Sequence, residues 1–374
     1  MFYRDYGKTG VKVSILGFGC MRLPEYEKDA KHYMDEDKCI ELLQTAYING
    51  INYYDTAPYY CHSNSEYIVG KALKPYRNKV FISTKCPCGD ELQKPSDYRK
   101  QLEQSLKKLD TDYIDFYHFW SLNKGIYDNK VLKLGLLKEA RKAKEEGLIK
   151  HISFSFHDKP EYIKYIIDTA EIMETMLVQY NLLDRSCEEM IAYAASKGLG
   201  VAAMGPVGGG RLAAPTDLYA KLTGKPSIAT YELAFKFVLG NPNINCALSG
   251  MQDLDMLHKN LNTVKSEAVL NQEEWEQISQ ALDQLKKFSD LYCTGCGYCQ
   301  PCPAEINIPH IFNLFTYHNV YGLTGHAKNE FMRYLEKGKT IKDCEGCGYC
   351  ESKCPQKLKI RRELARVEKV LTSI

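Results

Sequence analysis

The sequence shows no long hydrophobic run, no signal-peptide pattern in its first residues and no excess of charge of one sign. No stretch approaches the roughly 18 uninterrupted apolar residues of a membrane-spanning helix. The opening MFYRDYGKTG lacks the basic flank and apolar core of a signal peptide, which predicts a cytoplasmic protein. Lys and Arg total 49 against 47 Asp and Glu, so charge gives no reason to expect nucleic acid or a membrane surface as partner. Small molecules and carrier proteins remain as candidate partners.

Cysteine, in contrast, is abundant and unevenly placed. Seven of the fifteen cysteines are scattered between Cys20 and Cys246, whereas eight crowd between Cys293 and Cys354. Scattered cysteines in a cytosolic chain are usually small buried hydrophobic residues. The crowded eight need another explanation.

These eight cysteines form two runs that nearly repeat one plan, CxxCxxC followed by an outlying Cys-Pro. Such a loop places three thiolates around three irons of a cubane, while the outlying cysteine ligates the other cluster in two-cluster ferredoxins. The pattern therefore predicts two [4Fe-4S] clusters with crossed ligation. The first cluster is predicted to use Cys293, Cys296, Cys299 and Cys354, and the second to use Cys344, Cys347, Cys350 and Cys302.

Structural zinc and disulfides are the competing explanations of this module. Zinc sites typically show paired CxxC knuckles, and the cytosol disfavours disulfides. The first run departs from the standard ferredoxin run because it closes with CxxCP instead of CxxxCP. About forty residues separate the two runs, and IPHIFNLFTYH and NEFMRYLEKG within them have helical apolar spacing. We therefore predict a helical ferredoxin-like domain over residues 289–374.

Residues 1–288 alternate short β-rich runs with stretches of helical period, which is typical of a parallel α/β fold. Eight strands are predicted, the number that closes a TIM (β/α)8 barrel: VSILGFG, INYYD, VFISTK, DYIDFYHFW, KHISFSF, MLVQY, GVAAM and NCALS. Chemistry in that fold lies at the carboxyl ends of the strands. The residues selected by this rule are Asp55, Lys85, Trp120, Phe156, Gln179 and Met204.

Over roughly residues 1–290 the chain resembles the aldo-keto reductase family, and in particular the branch with a C-terminal iron-sulfur extension. The motifs that carry the resemblance are LGFGCMRLP, NYYDTAPYYCHSNSEYIVG, VFISTK, DYIDFYHFW, VQYNLLDR and SGMQDLDMLHKNL. The resemblance implies that Tyr60 is a proton donor, that Lys85 lowers its pKa and that Asp55 pairs with Lys85. A phenol with an ordinary pKa near 10 needs such help to act at neutral pH.

The chain departs from the family pattern at the fourth catalytic position. Trp120 stands where the family has a histidine, and His118 lies two residues earlier on the same face of the strand, about 6.6 Å deeper. His118 is thus either a core histidine or an indirect catalytic one, while His62 and His157 are spare candidates near strand ends.

The resemblance also implies a cofactor site for a nicotinamide dinucleotide. Gln179 and Ser155 match carboxamide-binding positions, Met204 replaces a ring-stacking tyrosine, and Gly209 and Arg211 lie in a glycine-rich run suited to a diphosphate. The remaining cofactor residues are predicted to be Gly19, Met21, Arg22, Trp120, Ser249 and Asn260. Basic residues for a 2'-phosphate are missing around Gly250, Met251 and Met256, so a strong NADP preference is not expected.

Nicotinamide and iron-sulfur clusters differ in electron count, because a hydride carries two electrons and a cluster moves one. The leading hypothesis is a reductase of a small carbonyl or conjugated compound, with clusters relaying electrons to or from a ferredoxin or another carrier. A flavin (FMN) or a substrate radical in place of nicotinamide is the second hypothesis. A redox sensor or electron carrier on a non-catalytic barrel is the third.

Overall fold

The computed structural model describes most of the chain in two compact units. The first unit comprises Met1–Gly209 and Ala234–Asn271, and the second comprises Gly210–Leu233 and Gln272–Ile374. The boundary expected between residues 288 and 289 stays a prediction. The described residues are 1–28, 31–182, 184–208, 212, 229–265, 270, 272–287, 291, 293, 299–319, 321–336, 341–354 and 357–374.

The first unit is built on a closed barrel of eight parallel strands, as the sequence predicts. The barrel strands are β3 (Leu16–Gly19), β6 (Tyr53–Asp55), β7 (Phe81–Cys86), β8 (Ile114–Leu122), β9 (Ile149–Phe156), β10 (Thr175–Gln179), β11 (Gly200–Met204) and β12 (Cys246–Ser249). They follow one another around the barrel in chain order, and β12 pairs with β3 to close it. All eight predicted strands are therefore confirmed.

Helices alternate with these strands. The α-helices in the described part of residues 1–271 are α1 (Glu36–Ile48), α2 (Ser65–Leu73), α3 (Pro95–Leu109), α4 (Lys124–Ile126, continued as a π-helix over Tyr127–Leu132), α5 (Leu136–Glu145), α6 (Glu161–Ala170), α7 (Glu188–Ser196), α8 (Thr230–Gly240) and α9 (Leu254–Lys265). Helix α1 has a residue at its start that predicts a helix from sequence. The Asp35 side chain caps the helix by accepting a hydrogen bond from the Lys38 amide. Gly50 then turns the chain into β6 with a φ of +93°.

A hairpin of β1 (Tyr3–Asp5) and β2 (Lys12–Ser14) covers the amino-terminal end of the barrel. Tyr6, which follows β1, is fully buried and packs edge-on against Tyr53 and Phe116 inside the barrel. Gly7 has a φ of +58°, and a Cβ there would lie 2.3 Å from the Gly200 amide nitrogen. Because the hairpin and Tyr6 close the amino-terminal end of the barrel, a site for chemistry is expected at the carboxyl ends of the strands. A second hairpin, β4 (Glu25–Lys28) and β5 (Lys31–Met34), lies between β3 and α1.

The second unit is helical in its described part. Its helices are α10 (Gln272–Lys287), α11 (Ile308–Asn319), α12 (Thr324–Glu336), α13 (Tyr349–Lys353) and α14 (Ile360–Ser373). Phe312, Phe331, Leu364 and Val367 are buried where α11, α12 and α14 pack together. The helical spacing between the two cysteine runs is thus confirmed. Within the described part of the chain, no helix is both long and apolar enough to cross a membrane.

Candidate active site and cluster module

A buried ion pair lies at the carboxyl ends of β6 and β7. Lys85 Nζ donates to Asp55 Oδ2 at 2.8 Å and to the Thr56 carbonyl oxygen at 2.6 Å. Asp55 Oδ1 accepts a further hydrogen bond from Ser83 Oγ at 2.9 Å. Burial alone would lower the pKa of Lys85, but the charge of Asp55 and the nearby Tyr60 raise it, so Lys85 stays an ammonium.

Tyr60 completes this arrangement from the loop after β6. Lys85 Nζ lies 4.6 Å from the centroid of the Tyr60 ring, within range of a cation–π contact. Burial raises the pKa of Tyr60, and the charge of Lys85 lowers it by less. Lys85 therefore acts in the expected direction, but its effect is outweighed. Tyr60 remains protonated at neutral pH and is chemically suited to donate a proton.

Trp120 lies beside Tyr60 at the mouth of the barrel. Its ring centroid is 5.8 Å from that of Tyr60 in an edge-to-face arrangement and 5.5 Å from that of Tyr59. An indole N–H is a hydrogen-bond donor only, so Trp120 cannot exchange protons as an imidazole does. The position that holds a histidine in the family is here part of an aromatic wall.

A β-bulge in β8 produces this placement. The β8–β9 register shifts between Phe119 and Leu122, and Ser121 has a φ of +53°. The Ser121 amide donates to Ser155 Oγ at 2.7 Å. Ser155, predicted to bind a carboxamide, is thus also engaged in holding the bulge, and its hydroxyl still has a proton to donate.

His118 lies on β8 next to Lys85, paired in register with Lys85 on β7 and with Ser153 on β9. It is fully buried, and neither ring nitrogen has a hydrogen-bond partner among the described residues. Burial lowers the pKa of His118 to about 4, so the ring is neutral. His157, at the end of β9, also has a lowered pKa from burial and from the charge of Lys85.

The predicted cofactor residues fall into two groups. Gly19, Arg22 and Ser249 meet where β3 pairs with β12: a Cβ on Gly19 would lie 3.4 Å from the Ser249 carbonyl oxygen, and a Cβ on the next residue, Gly250, would lie 3.9 Å from Arg22 Cβ. Asn260 donates to Ser249 Oγ at 2.9 Å. Met21 and Arg22 are exposed.

The second group lies on β10 and β11, the two strands that come directly before β12 in the barrel. Gln179 and Met204 are paired in register on β10 and β11, and both are half-buried. Gln179 Nε2 donates to Asp184 Oδ2 at 2.7 Å. Gly209 and Arg211, predicted to contact the diphosphate, lie outside the described residues.

Sequence reasoning missed Ser83, Ser121 and Asp184. Ser83 could have been found, because it lies two residues before Lys85 and strand alternation places both on one face. Nothing in the sequence pattern indicated that Ser121 would sit in a bulge or that Asp184 would hold Gln179.

The second unit gathers the predicted ligands of the second cluster. One cavity is lined by Cys302, Cys344, Cys347 and Cys350, together with Cys299 and Arg361. Burial raises the pKa of Cys350, with smaller contributions from the charges of Cys302 and Cys344. Gly346 and Gly348 have φ values of +67° and +74°, as expected of a loop that wraps closely around a ligand.

The donor set fits an iron-sulfur cubane better than a single ion. Four thiolates around one zinc would lie only about 3.8 Å apart, yet among the described residues no three His, Cys, Asp or Glu side chains are grouped to hold one metal ion. For the other predicted set, Cys296 lies outside the described residues. Cys293, Cys299 and Cys354 are described, and Cys293 and Cys354 are only partly buried.

A parallel barrel with a Lys-Asp-Tyr group at its mouth, followed by a cysteine module, defines an oxidoreductase with an iron-sulfur domain. Comparison with known families gives the same result. The model of the aldo/keto reductase family matches residues 15–283, and that of the 4Fe-4S dicluster domain matches residues 292–360. The chain therefore belongs to the aldo/keto reductase family and carries a 4Fe-4S dicluster domain.

Relatives and solved structures agree with this assignment. L-galactose dehydrogenase of Arabidopsis thaliana is 26% identical over 316 residues, which span 76% of this chain and 96% of that protein. The NADH-specific methylglyoxal reductase of Escherichia coli is 30% identical over 228 residues, spanning 55% of this chain and 67% of that protein. The holo form of aldo-keto reductase AKR11C1 from Bacillus halodurans has a TM-score of 0.65 at 26% identity, covering 75% of this chain and 96% of its own.

Proposed function

We propose that this protein reduces a small carbonyl or conjugated compound at the barrel mouth. In this proposal Tyr60 donates the proton, and the dicluster domain relays electrons. The observation that carries it is the position of Lys85, buried between Asp55, the Thr56 carbonyl and the Tyr60 ring. The likeness to an NADH-specific methylglyoxal reductase supports a small carbonyl as substrate.

In this proposal, each residue near Tyr60 has a distinct role. Asp55 and Thr56 hold the Lys85 ammonium against Tyr60, so that negative charge developing on the phenol oxygen during proton transfer is stabilised. Trp120 and Tyr59 bound the side of the site next to Tyr60 and restrict the entry of water. His118 is neutral and fully buried beside Lys85, so we assign it a supporting role rather than contact with substrate.

We infer that the barrel binds NAD(H) without a strong preference for NADP(H), or FMN in its place. When bound, a nicotinamide supplies a hydride, a flavin converts between two-electron and one-electron transfer, and the clusters supply single electrons. Gln179 and Met204, together with Gly19 and Ser249 where β3 pairs with β12, would hold the ring and the phosphates of the bound cofactor. The positions expected to bind a 2'-phosphate hold the uncharged residues Gly250, Met251 and Met256. Arg22 is the basic residue that the structure places beside Gly250.

Replacement of the Tyr60 phenol tests the proposal. Tyr60→Phe removes the proton donor and keeps the ring beside Trp120, so turnover should fall about 100-fold, the usual contribution of a positioned acid. The measurement is kcat/KM on a panel of small aldehydes, ketones and conjugated carbonyls, with NADH and with a reduced ferredoxin as donors.

Tyr67→Phe is the matched control, because Tyr67 is an exposed tyrosine on α2. It should keep full activity, and both variants should contain as much iron as the wild type. Full activity of Tyr60→Phe would mean that another group donates the proton.

A further inference from the structure

Basic side chains are concentrated in one short stretch of the dicluster domain. Residues 291–351 contain five basic and six acidic residues, whereas residues 352–362 contain five basic residues and no acidic one. The whole chain has a net charge of only +2. Residues 130–144 of the barrel have a similar excess, with six basic residues and one acidic one, so the position of residues 352–362 beside the predicted cluster ligands is what distinguishes them.

Three lysines in this stretch form no ion pair among the described residues. Lys353, Lys357 and Lys359, which we call the lysine patch, are exposed, and none has a carboxylate within 4.0 Å in the described part of the chain. The two arginines that follow are different. Arg361 pairs with Glu351 and Arg362 pairs with Glu363, both at 2.9 Å.

The lysine patch lies next to the cysteines predicted to hold clusters. Lys353 directly precedes Cys354, and the Lys357 amide donates to the Cys354 carbonyl oxygen at 3.0 Å. Arg361, two residues beyond Lys359, lines the cavity that holds Cys344, Cys347 and Cys350. Arg361 Nη1 also donates to the Gly346 carbonyl oxygen of that loop at 3.0 Å.

The same region brings a cluster ligand to the surface. Cys347 is exposed, and the neighbouring Tyr349 is 39% exposed. A cluster held by that loop would therefore lie near solvent, where a second protein can approach it. Exposed positive charge beside such a site attracts a negatively charged partner and orients its approach.

We propose that the lysine patch is the docking surface for a small acidic one-electron carrier protein. This inference rests on the proposed role of the clusters. One electron leaves the reduced carrier and enters the oxidised dicluster domain, so the carrier is oxidised by one electron and the domain is reduced by one. No proton or other atom passes between the two proteins.

A charge-reversal experiment tests the docking surface. The probe is a reduced plant-type [2Fe-2S] ferredoxin of negative net charge, and the readouts are the second-order rate of cluster reduction by stopped flow and the Kd of the oxidised ferredoxin by calorimetry. Lys353→Glu, Lys357→Glu and Lys359→Glu combined should lower the rate and weaken binding about tenfold or more at low salt. Wild-type rates should also fall steeply as the salt concentration rises from about 0.02 M to about 0.5 M.

The matched control reverses three lysines on the barrel. Lys133, Lys138 and Lys142 are exposed in or next to α5 and form no ion pair among the described residues. Their combined change to Glu alters the net charge equally and should leave both readouts within about twofold of wild type.

Dithionite separates failure of the docking surface from failure of the proposed function. Equal bleaching of all three proteins by dithionite shows that each holds the same clusters, whereas absence of bleaching in the wild type overturns the cluster role itself. The docking surface is overturned if the patch variant matches the wild type, if the control variant weakens binding equally, or if salt has no effect. If the patch variant does not fold, the wild type alone can still overturn the proposal, because a rate that does not change with salt excludes an electrostatic docking surface.

Discussion

At the scale of single residues, the site depends on how buried polar groups are satisfied. Lys85 is 1% exposed, and its ammonium finds a carboxylate, a carbonyl and an aromatic face. Removal of Lys85 would leave the Asp55 charge buried with only Ser83 as partner, which costs about 3–5 kcal/mol for pairs of this kind. His118 is the opposite case, since it is buried with no hydrogen-bond partner among the described residues.

The neutral state of His118 makes stability depend on pH. Its folded pKa of about 4 lies below the ordinary value of 6.5, so the unfolded chain takes up the proton first as the pH falls. The contribution of neutral His118 to folding stability is therefore complete above the ordinary pKa of histidine. It is lost as the pH falls toward the pKa of His118 in the folded protein. Between about pH 7 and about pH 5.5, the wild type should lose about 1 kcal/mol more unfolding free energy than His118→Phe.

Urea denaturation at the two pH values, performed anaerobically, measures this difference. His118→Gln serves as a second variant that cannot titrate but keeps a polar side chain. Equal losses in the wild type and both variants would show that His118 titrates normally, and therefore that it is not enclosed as described.

The sequence pattern predicted where side chains lie in this site better than it predicted their pKa values. Strand alternation predicted that His118 points into the barrel, and the structure buries His118 completely. Its depth relative to Trp120 stays a prediction, because the β8–β9 register shifts between Phe119 and Leu122. The net pKa of Tyr60 could not be predicted in the same way. It depends on how deeply the surrounding loops bury the phenol, and burial outweighs the visible charge of Lys85.

At the scale of elements, the bulge in β8 and the two cysteine loops determine where functional groups lie. The bulge was not predicted, since it depends on the hydrogen bond from the Ser121 amide to Ser155 on the neighbouring strand. The cysteine loops were predicted because their ligand spacing is local in sequence. Cys302 lines one cavity with Cys344, Cys347 and Cys350, but Cys299 of the first predicted set lines it too, so crossed ligation stays a prediction.

Pairs of cysteine substitutions test the crossed ligation. Cys302→Ser should remove the second cluster and lower the iron content from about eight to about four per chain. Adding Cys344→Ser should remove no further iron, because both cysteines would serve the same cluster. Adding Cys293→Ser instead should remove nearly all of it. Iron analysis gives the comparison, and the reverse result would assign Cys302 to the first cluster.

At the scale of the whole molecule, a reductase barrel and a dicluster domain are joined in one chain. The barrel was predictable because eight strands alternate with helices along the chain. The hydrophobic periodicity of each element depends only on residues that are close in sequence. The boundary between residues 288 and 289 stays a prediction, because helix α10 carries no motif that assigns it to the barrel or to the dicluster domain. The second compact unit includes Gly210–Leu233 as well as Gln272–Ile374.

The iron and acid-labile sulfide content of the anaerobically purified protein tests the central claim most directly. Two cubanes held by eight cysteines predict about eight irons and about eight sulfides per chain, with broad visible absorption that dithionite bleaches. Stoichiometric zinc without sulfide would contradict the account, because the barrel would then have no one-electron carrier in the same chain.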